Sequence, residues 1–207
     1  FNGEIYNFIE IKKELKSLGC TFKTNSDTEV LLNAYIKWKD KCVLKFNGMW
    51  SFAIWDNHKK ELFLSRDRFG KKPMFYSKIN GKFIFASEMK AIYPFLNKVD
   101  ISQEFHWMKN NIFLYESSEK CLVNDIKRFP KGSNGIYKNG KLKIYRYWNT
   151  LDHLHDTPRD YKDQVKQFRD LFLDACKIRM RSDVPIGTAL SGGLDSSATI
   201  GAMAHLS

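Results

Sequence analysis

The stretch SGGLDSS at residues 191–197 constrains this chain more than any other part of its sequence. It follows the short apolar run GTAL, read as a strand over 187–190, and precedes a run of helix-forming residues read as a helix from about Ser196. Two consecutive glycines between a strand and a helix present bare backbone N–H groups at a helix N-terminus, where an anion is favoured. Ser191, Ser196 and Ser197 add hydroxyl donors, while Asp195 makes sense near a phosphate only with a metal ion or an amine between them. An ordinary strand–turn–helix corner would explain the glycines but not the aspartate and serines together. The loop lacks the GK[ST] ending of a Walker A motif. A sheet built on one such strand needs parallel neighbours, so the expectation is that this is an internal piece of a longer chain.

The residues upstream follow a different rhythm. In NFIEIKKELKSLG, Ile11, Leu15 and Leu18 recur at helical spacing, with Asn7 and Glu10 as a capping-box-like start and Gly19 as the stop. In SDTEVLLNAYIKWK, Ser26 is the cap, with Glu29 three residues on. Strand pairs follow: WSFAIWD (50–56) with ELFLSRD (61–67), KPMFYSKI with KFIFASE across Asn80-Gly81, and NGIYK with KLKIYRYW across Asn139-Gly140. Asn-Gly suits the positive φ values of a type I′ turn. SEMKAIYPF reads as a short helix between them. From Asn149 the sequence becomes the polar NTLDHLHDTP, with Pro158 placed to open a helix over 159–180 that carries Tyr161, Val165, Phe168, Phe172, Ala175 and Ile178 at helical spacing. The boundary therefore falls near residue 150: a β-rich domain over 1–150, then the opening of an α/β domain over 151–207.

Composition narrows the class. Hydrophobic residues make up 43% of the 207, enough for a core. No apolar run approaches the length of a membrane span. Cys20, Cys42, Cys121 and Cys176 are scattered, without a CxxC pair, which suits neither a zinc site nor a disulfide scaffold. They read as reduced thiols of a cytoplasmic protein. His153 and His155 lie in the polar connector and are not read as metal ligands. The net charge of +11 invites nucleic acid, but the Lys and Arg residues are dispersed among acids, so no nucleic-acid partner is expected.

SGGLDSS resembles the pyrophosphatase-type loop of enzymes that split ATP between its α- and β-phosphates. FNGEIYN (1–7), SDTE (26–29), FNGMWSFAIWD (46–56), RDRFGKKPMFY (66–76) and FASEMKAI (85–92) precede it in the order found in glutamine-hydrolysing asparagine synthetases. This resemblance spans nearly the whole chain and is weakest between Ile101 and Asn149. It implies an α+β N-terminal-nucleophile glutaminase domain of layered antiparallel sheets with helices. The start of an α/β adenine-nucleotide α-hydrolase-like synthetase domain would follow. It further implies an oxyanion hole made by the Asn2 side chain and the Gly3 N–H, and glutamine binding by Asn2, Gly3, Glu4 and Asp27. ATP and pyrophosphate would be held by Leu190, Ser191, Gly192, Gly193, Asp195, Ser196 and Ser197, with Mg²⁺ on Asp195. The implied small-molecule partners are glutamine, aspartate and ATP, and a homodimer is admitted.

The sequence also departs from that pattern. The family's nucleophile is a cysteine with a free α-amino group, which none of the four internal cysteines can supply. It is expected upstream of Phe1, together with the arginine that clamps the glutamine carboxylate, so these 207 residues alone are expected to be inactive. Arg66 and Asp67 read as a structural pair or an interdomain contact, and Pro130-Lys131-Gly132 as surface variation. Two alternatives stay open: an amidotransferase acting on another carboxylate, on a sugar or natural product, and an inactive regulatory paralogue.

Overall fold

Asn-Gly pairs fix two of the chain's hairpins. Asn80 and Gly81 have φ of 50° and 74°, and Asn139 and Gly140 of 49° and 75°, the doubly left-handed backbone that a two-residue hairpin demands. The structure is a computed structural model describing residues 1–103, 105, 113, 115 and 118–207. It divides into two units, Phe1–Asp152 and His153–Ser207.

In the first unit, β1 (Asn2–Ile5), β2 (Gly48–Asp56), β3 (Glu61–Arg66), β7 (Ser133–Lys138) and β8 (Lys141–Arg146) form one antiparallel sheet in the order β1-β2-β3-β7-β8. A second antiparallel sheet is ordered β5-β4-β6, from β4 (Phe75–Ile79), β5 (Lys82–Ala86) and β6 (Lys127–Arg128). Helices α1 (Phe8–Ser17) and α2 (Asp27–Trp38) cover one face of the larger sheet.

Alternation along β2 and β3 decides what faces what. Trp50, Phe52, Ile54 and Phe63 point toward the helices and meet Leu15, Val30, Leu31 and Ala34. Leu64, Ala53 and Leu62 point to the other side and meet Met74, Phe129 and Phe83 of the smaller sheet's layer. Fully buried side chains such as Trp50, Phe46 and Phe63 contribute about 1.5–3 kcal/mol each relative to exposure. A third cluster, Ile92, Cys121, Val123 and Ile126, lies behind β4 and β5 with Phe75 and Ile84. Among the described residues the layers are therefore helices, sheet, sheet.

Several local expectations need correction. Asn7 precedes α1 but makes no capping bond. Its side chain instead donates to the Lys45 carbonyl and accepts from Asn47 N–H, tying the helix start to the loop before β2. Ser26 does cap α2, accepting from Thr28 N–H at 3.1 Å, but Glu29 reaches Lys23 and Thr24 rather than completing a box. SEMKAIYPF is two 3₁₀ turns, Met89–Ala91 and Tyr93–Phe95, because Pro94 has no N–H to continue an α-helix.

The second unit holds α3 (Tyr161–Arg179) and α4 (Leu194–Leu206). Asp160, not Pro158, caps α3, accepting from Lys162 and Asp163 N–H. Tyr161, Phe168 and Leu171 stand exposed on it, and Ile178 is its buried residue. GTAL is not a strand: residues 187–190 pair with nothing in the described chain, and a strand exists only through its partners' hydrogen bonds. The helix after the loop starts at Leu194, ahead of the expected Ser196.

Candidate functional site

Strand β1 lies at the edge of the larger sheet and carries Asn2, Gly3 and Glu4 in succession. A Cβ on Gly3 would overlap the Met49 carbonyl oxygen and sit 2.7 Å from Trp50 Cα. Gly48 is crowded in the same way against the Glu4 carbonyl. Glycine is thus needed on both strands for the close approach of β1 to β2, whatever the chemistry nearby. Asn2 donates through Nδ2 to Ser87 Oγ at 3.2 Å, which ties the strand to the residue following β5. A primary amide has two N–H bonds, so one remains for another acceptor. Glu4 is exposed, and its carboxylate has no partner among the described residues.

Asp27 joins this group from α2. Its Oδ2 accepts the Ile5 N–H at 3.0 Å. Ser26 performs the capping, so the Asp27 carboxylate is free to reach the strand. The structure thus holds Asp27 against the end of β1, the strand that carries Asn2, Gly3 and Glu4. Ser87 was not singled out in the sequence. Its signal was present in FASEMKAI, but nothing in that stretch tells which neighbour its hydroxyl meets.

The cysteines are poor nucleophiles where the fold puts them. Burial pushes the Cys42 thiol up to about 12, with Asp40 adding to the effect, and the Cys121 thiol up to about 11 against the opposing pull of Arg128. All four thiols are free. A thiol that holds its proton to about 12 is thiolate in only about one molecule in ten thousand at mildly alkaline pH. Iodoacetamide is therefore expected to modify the half-buried Cys20 and Cys176 well ahead of Cys42 and Cys121, as peptide mass spectrometry would resolve. Equal labelling of Cys42 and Cys20 would contradict the burial argument.

Arg66 and Asp67 are structural, as expected, but not as a pair. Arg66 donates to three carbonyls, those of Lys72, Phe129 and Gly70, at 2.6–2.8 Å. The Asp67 carboxylate accepts from the N–H groups of Trp50, Phe69, Lys71 and Lys72. Pro130-Lys131-Gly132 is more than surface variation. Gly132 N–H donates to the Asp67 carbonyl, and the Gly132 carbonyl accepts from Tyr147 and Trp148.

In the second unit, Gly192 has φ of 81° and Gly193 caps α4 with φ of −80° and ψ of 164°. Any residue can adopt the Gly193 conformation, and a Cβ there would meet only Ser191 Oγ, at 3.5 Å. The protein itself gives no reason for a glycine at 193, which fits a cradle kept clear for a ligand. The Ser196 and Ser197 hydroxyls both donate to the Gly193 carbonyl, and Ser191 Oγ lies 2.9 Å from Ser196 Oγ. The serines thus shape the loop, and the donors left for an anion are the first backbone N–H groups of α4. Leu190 is exposed beside them. Asp195 stands in the first turn of α4, and no group of three or more metal-binding side chains occurs among the described residues.

Comparison with known proteins gives the chain's family. The glutamine amidotransferase domain family matches residues 1–148, and the asparagine synthase family matches residues 167–207. Asparagine synthetase [glutamine-hydrolyzing] 3 of Bacillus subtilis is 39% identical over 204 residues, covering 96% of this chain and 32% of its own length. The putative asparagine synthetase [glutamine-hydrolyzing] 2 of Methanocaldococcus jannaschii is 39% identical over 210 residues, covering 98% of this chain and 39% of its own. The chain thus spans about a third of the curated relatives it matches. The glutamine phosphoribosylpyrophosphate amidotransferase of B. subtilis, solved with ADP and GMP, is 16% identical with a TM-score of 0.51 over 99% of this chain and 43% of its own. That likeness shows the N-terminal-nucleophile fold. The chain belongs to the glutamine amidotransferase domain family, in the form that asparagine synthetases carry, with an asparagine synthase segment following it.

Proposed function

We propose that this chain is part of a cytoplasmic, ATP-dependent ligase that hydrolyses glutamine and uses the ammonia to convert aspartate to asparagine, releasing AMP and pyrophosphate. The observation that supports the reading is the bond from Ile5 N–H to Asp27 Oδ2, which ties the Asp27 carboxylate to the end of β1, the strand that carries Asn2, Gly3 and the unpaired Glu4. Two carboxylates next to a backbone and side-chain donor pair suit a glutamine whose α-ammonium needs anions and whose amide carbonyl needs N–H donors. In this proposal the free Asn2 N–H and the Gly3 N–H stabilise the tetrahedral oxyanion as it forms. None of the four cysteines carries a free α-amino group, so in this proposal none of them is the attacking thiol.

Residues 1–150 form the glutaminase domain in this reading and 151–207 open the synthetase domain. The N–H groups at the start of α4 and the open side of Gly193 would hold ATP's phosphates, along Leu190, Ser191, Gly192, Ser196 and Ser197. A lone Asp195 is a fitting ligand for Mg²⁺, which commonly takes one or two carboxylates together with substrate phosphates and waters. When bound, that ion would offset charge on the departing pyrophosphate. This chain's own part is to orient the phosphates on a helix N-terminus and to hold the loop rigid through the Gly193 carbonyl. A homodimer belongs to the same proposal. No helix among the described residues is long and apolar enough to cross a membrane.

The test uses the full-length protein with glutamine or ammonia as the nitrogen source and aspartate as acceptor. Asp27→Asn is expected to raise KM for glutamine about 10–100-fold, as when one charge-assisted contact is lost, and to leave ammonia-supported asparagine formation unchanged. An equal loss with both nitrogen sources would make Asp27 merely structural. Amidation of some other carboxylate in preference to aspartate would overturn the acceptor.

A further inference from the structure

An open cavity of about 880 Å³ lies within the first unit, where the far edges of the two sheets diverge, lined by Arg66, Arg128, Lys131, Arg146, Ser133 and Glu119 among others. None of Asn2, Gly3, Glu4 or Asp27 lines it. Register explains why these cations converge. Arg66 pairs with Ser133 and Ser133 with Arg146, so the three side chains rise on one face of adjacent strands β3, β7 and β8. Arg128, on the edge strand β6 of the other sheet, faces them.

Arg128 is the informative residue. It is only 9% exposed, yet its side chain makes no hydrogen bond to a carboxylate or carbonyl among the described residues. It rests 4.5 Å from the Tyr115 ring centroid, and its side-chain hydrogen-bond partner is the Cys121 sulfur. Arg66 is likewise buried, and its three bonds are all to neutral carbonyls. The two guanidinium groups repel: burial first and then the charge of Arg128 depress Arg66, against the opposing pull of the Asp67 carboxylate. Lys131 and Arg146 also have no carboxylate partner among the described residues, and Glu119 is the one acidic side chain among the described residues that line the cavity. A buried cation without a counter-ion is costly. Among the described residues, two buried guanidinium groups stand together at this cavity with further cations at its rim, an excess of positive charge where a ligand can enter.

We propose that this cavity is a binding site for a small oxoanion-bearing ligand, held by Arg128 and Arg146 with Lys131 at the mouth and Arg66 supplying field from below. Guanidinium groups suit such a ligand because their planar N–H forks match the oxygens of phosphate and carboxylate. The site is separate from the glutamine and nucleotide sites and does not rest on the function proposed for them.

The test is amide-resolved NMR of the ¹⁵N-labelled chain, titrated with inorganic phosphate and separately with malonate at about 0.15 M ionic strength, where screening acts beyond about 8 Å. Saturable shifts are expected at Glu119, Arg128, Lys131, Ser133 and Arg146, and replacing the exposed Arg146 in Arg146→Gln should weaken that binding at least tenfold, about 1.4 kcal/mol. Arg128→Gln should abolish it. Should that buried change unfold the chain, Arg146→Gln still decides the matter. Saturation by phosphate alone identifies a phosphate-bearing ligand, and saturation by malonate alone a dicarboxylate. Shifts that never saturate, that persist in Arg146→Gln, or that appear only at residues 191–197 overturn the proposal.

Discussion

Replacing Asp67 by alanine is expected to destabilise the first unit by about 3–5 kcal/mol, read as a fall in the urea midpoint of the chain's unfolding. Asp67 is 1% exposed and accepts four backbone N–H bonds, from Trp50, Phe69, Lys71 and Lys72, at 2.9–3.3 Å. Alanine removes the acceptor and leaves those donors in place. Each buried donor without a partner costs about 1–3 kcal/mol, less where water can enter. The damage then spreads, because the segment these bonds hold also presents the Gly70 and Lys72 carbonyls to Arg66. Asp67→Asn is not expected to rescue the loss, since its NH₂ would face amide donors. A midpoint that moves by less than about 1 kcal/mol in equivalent stability would show that water replaces the carboxylate and that the loop is not organised by it.

The second large effect concerns the proposed reaction. In the full-length enzyme, Asn2→Ala is expected to lower kcat for glutamine hydrolysis by about 10²–10³-fold, the usual consequence of deleting one oxyanion donor. KM should move little, because the bond is strongest once negative charge has formed. Asparagine formation from ammonia should be untouched. The same substitution also removes the 3.2 Å bond to Ser87, so Ser87→Ala is the control. It keeps the amide but frees its orientation, and a loss smaller than that of Asn2→Ala is expected. If Asn2→Ala hydrolyses glutamine at the wild-type rate, Asn2 is a structural tether and the oxyanion assignment fails.

The hairpins were legible residue by residue, because their signals are local. Asn-Gly at 80–81 and 139–140 adopts positive φ with little strain, and the alternation of WSFAIWD already separates the face that meets α1 and α2 from the face that meets the second sheet. The ends of elements were read less well. Asn7 is a good cap by type, yet its amide binds the Lys45 carbonyl and the Asn47 N–H, partners about forty residues away that no local pattern announces. GTAL has a strand's composition without a strand's partner. The helix expected in SEMKAIYPF breaks at Pro94, a stop that the sequence did display.

By itself, then, the sequence determined the antiparallel hairpins, the two helices that cover the larger sheet, the glycine loop ahead of α4 and the family to which the chain belongs. All of these depend on spacing within a few residues or on motifs in a set order. Only the tertiary structure decided that Asp27 serves β1 rather than its own helix, that Asn2 is held by Ser87, and that Arg66 and Asp67 bind the backbone separately. It also brought Arg128 into one cavity with Arg66 and Arg146. Each of these pairings joins residues far apart in sequence, and a side chain's partner there is set by sheet register and layer packing.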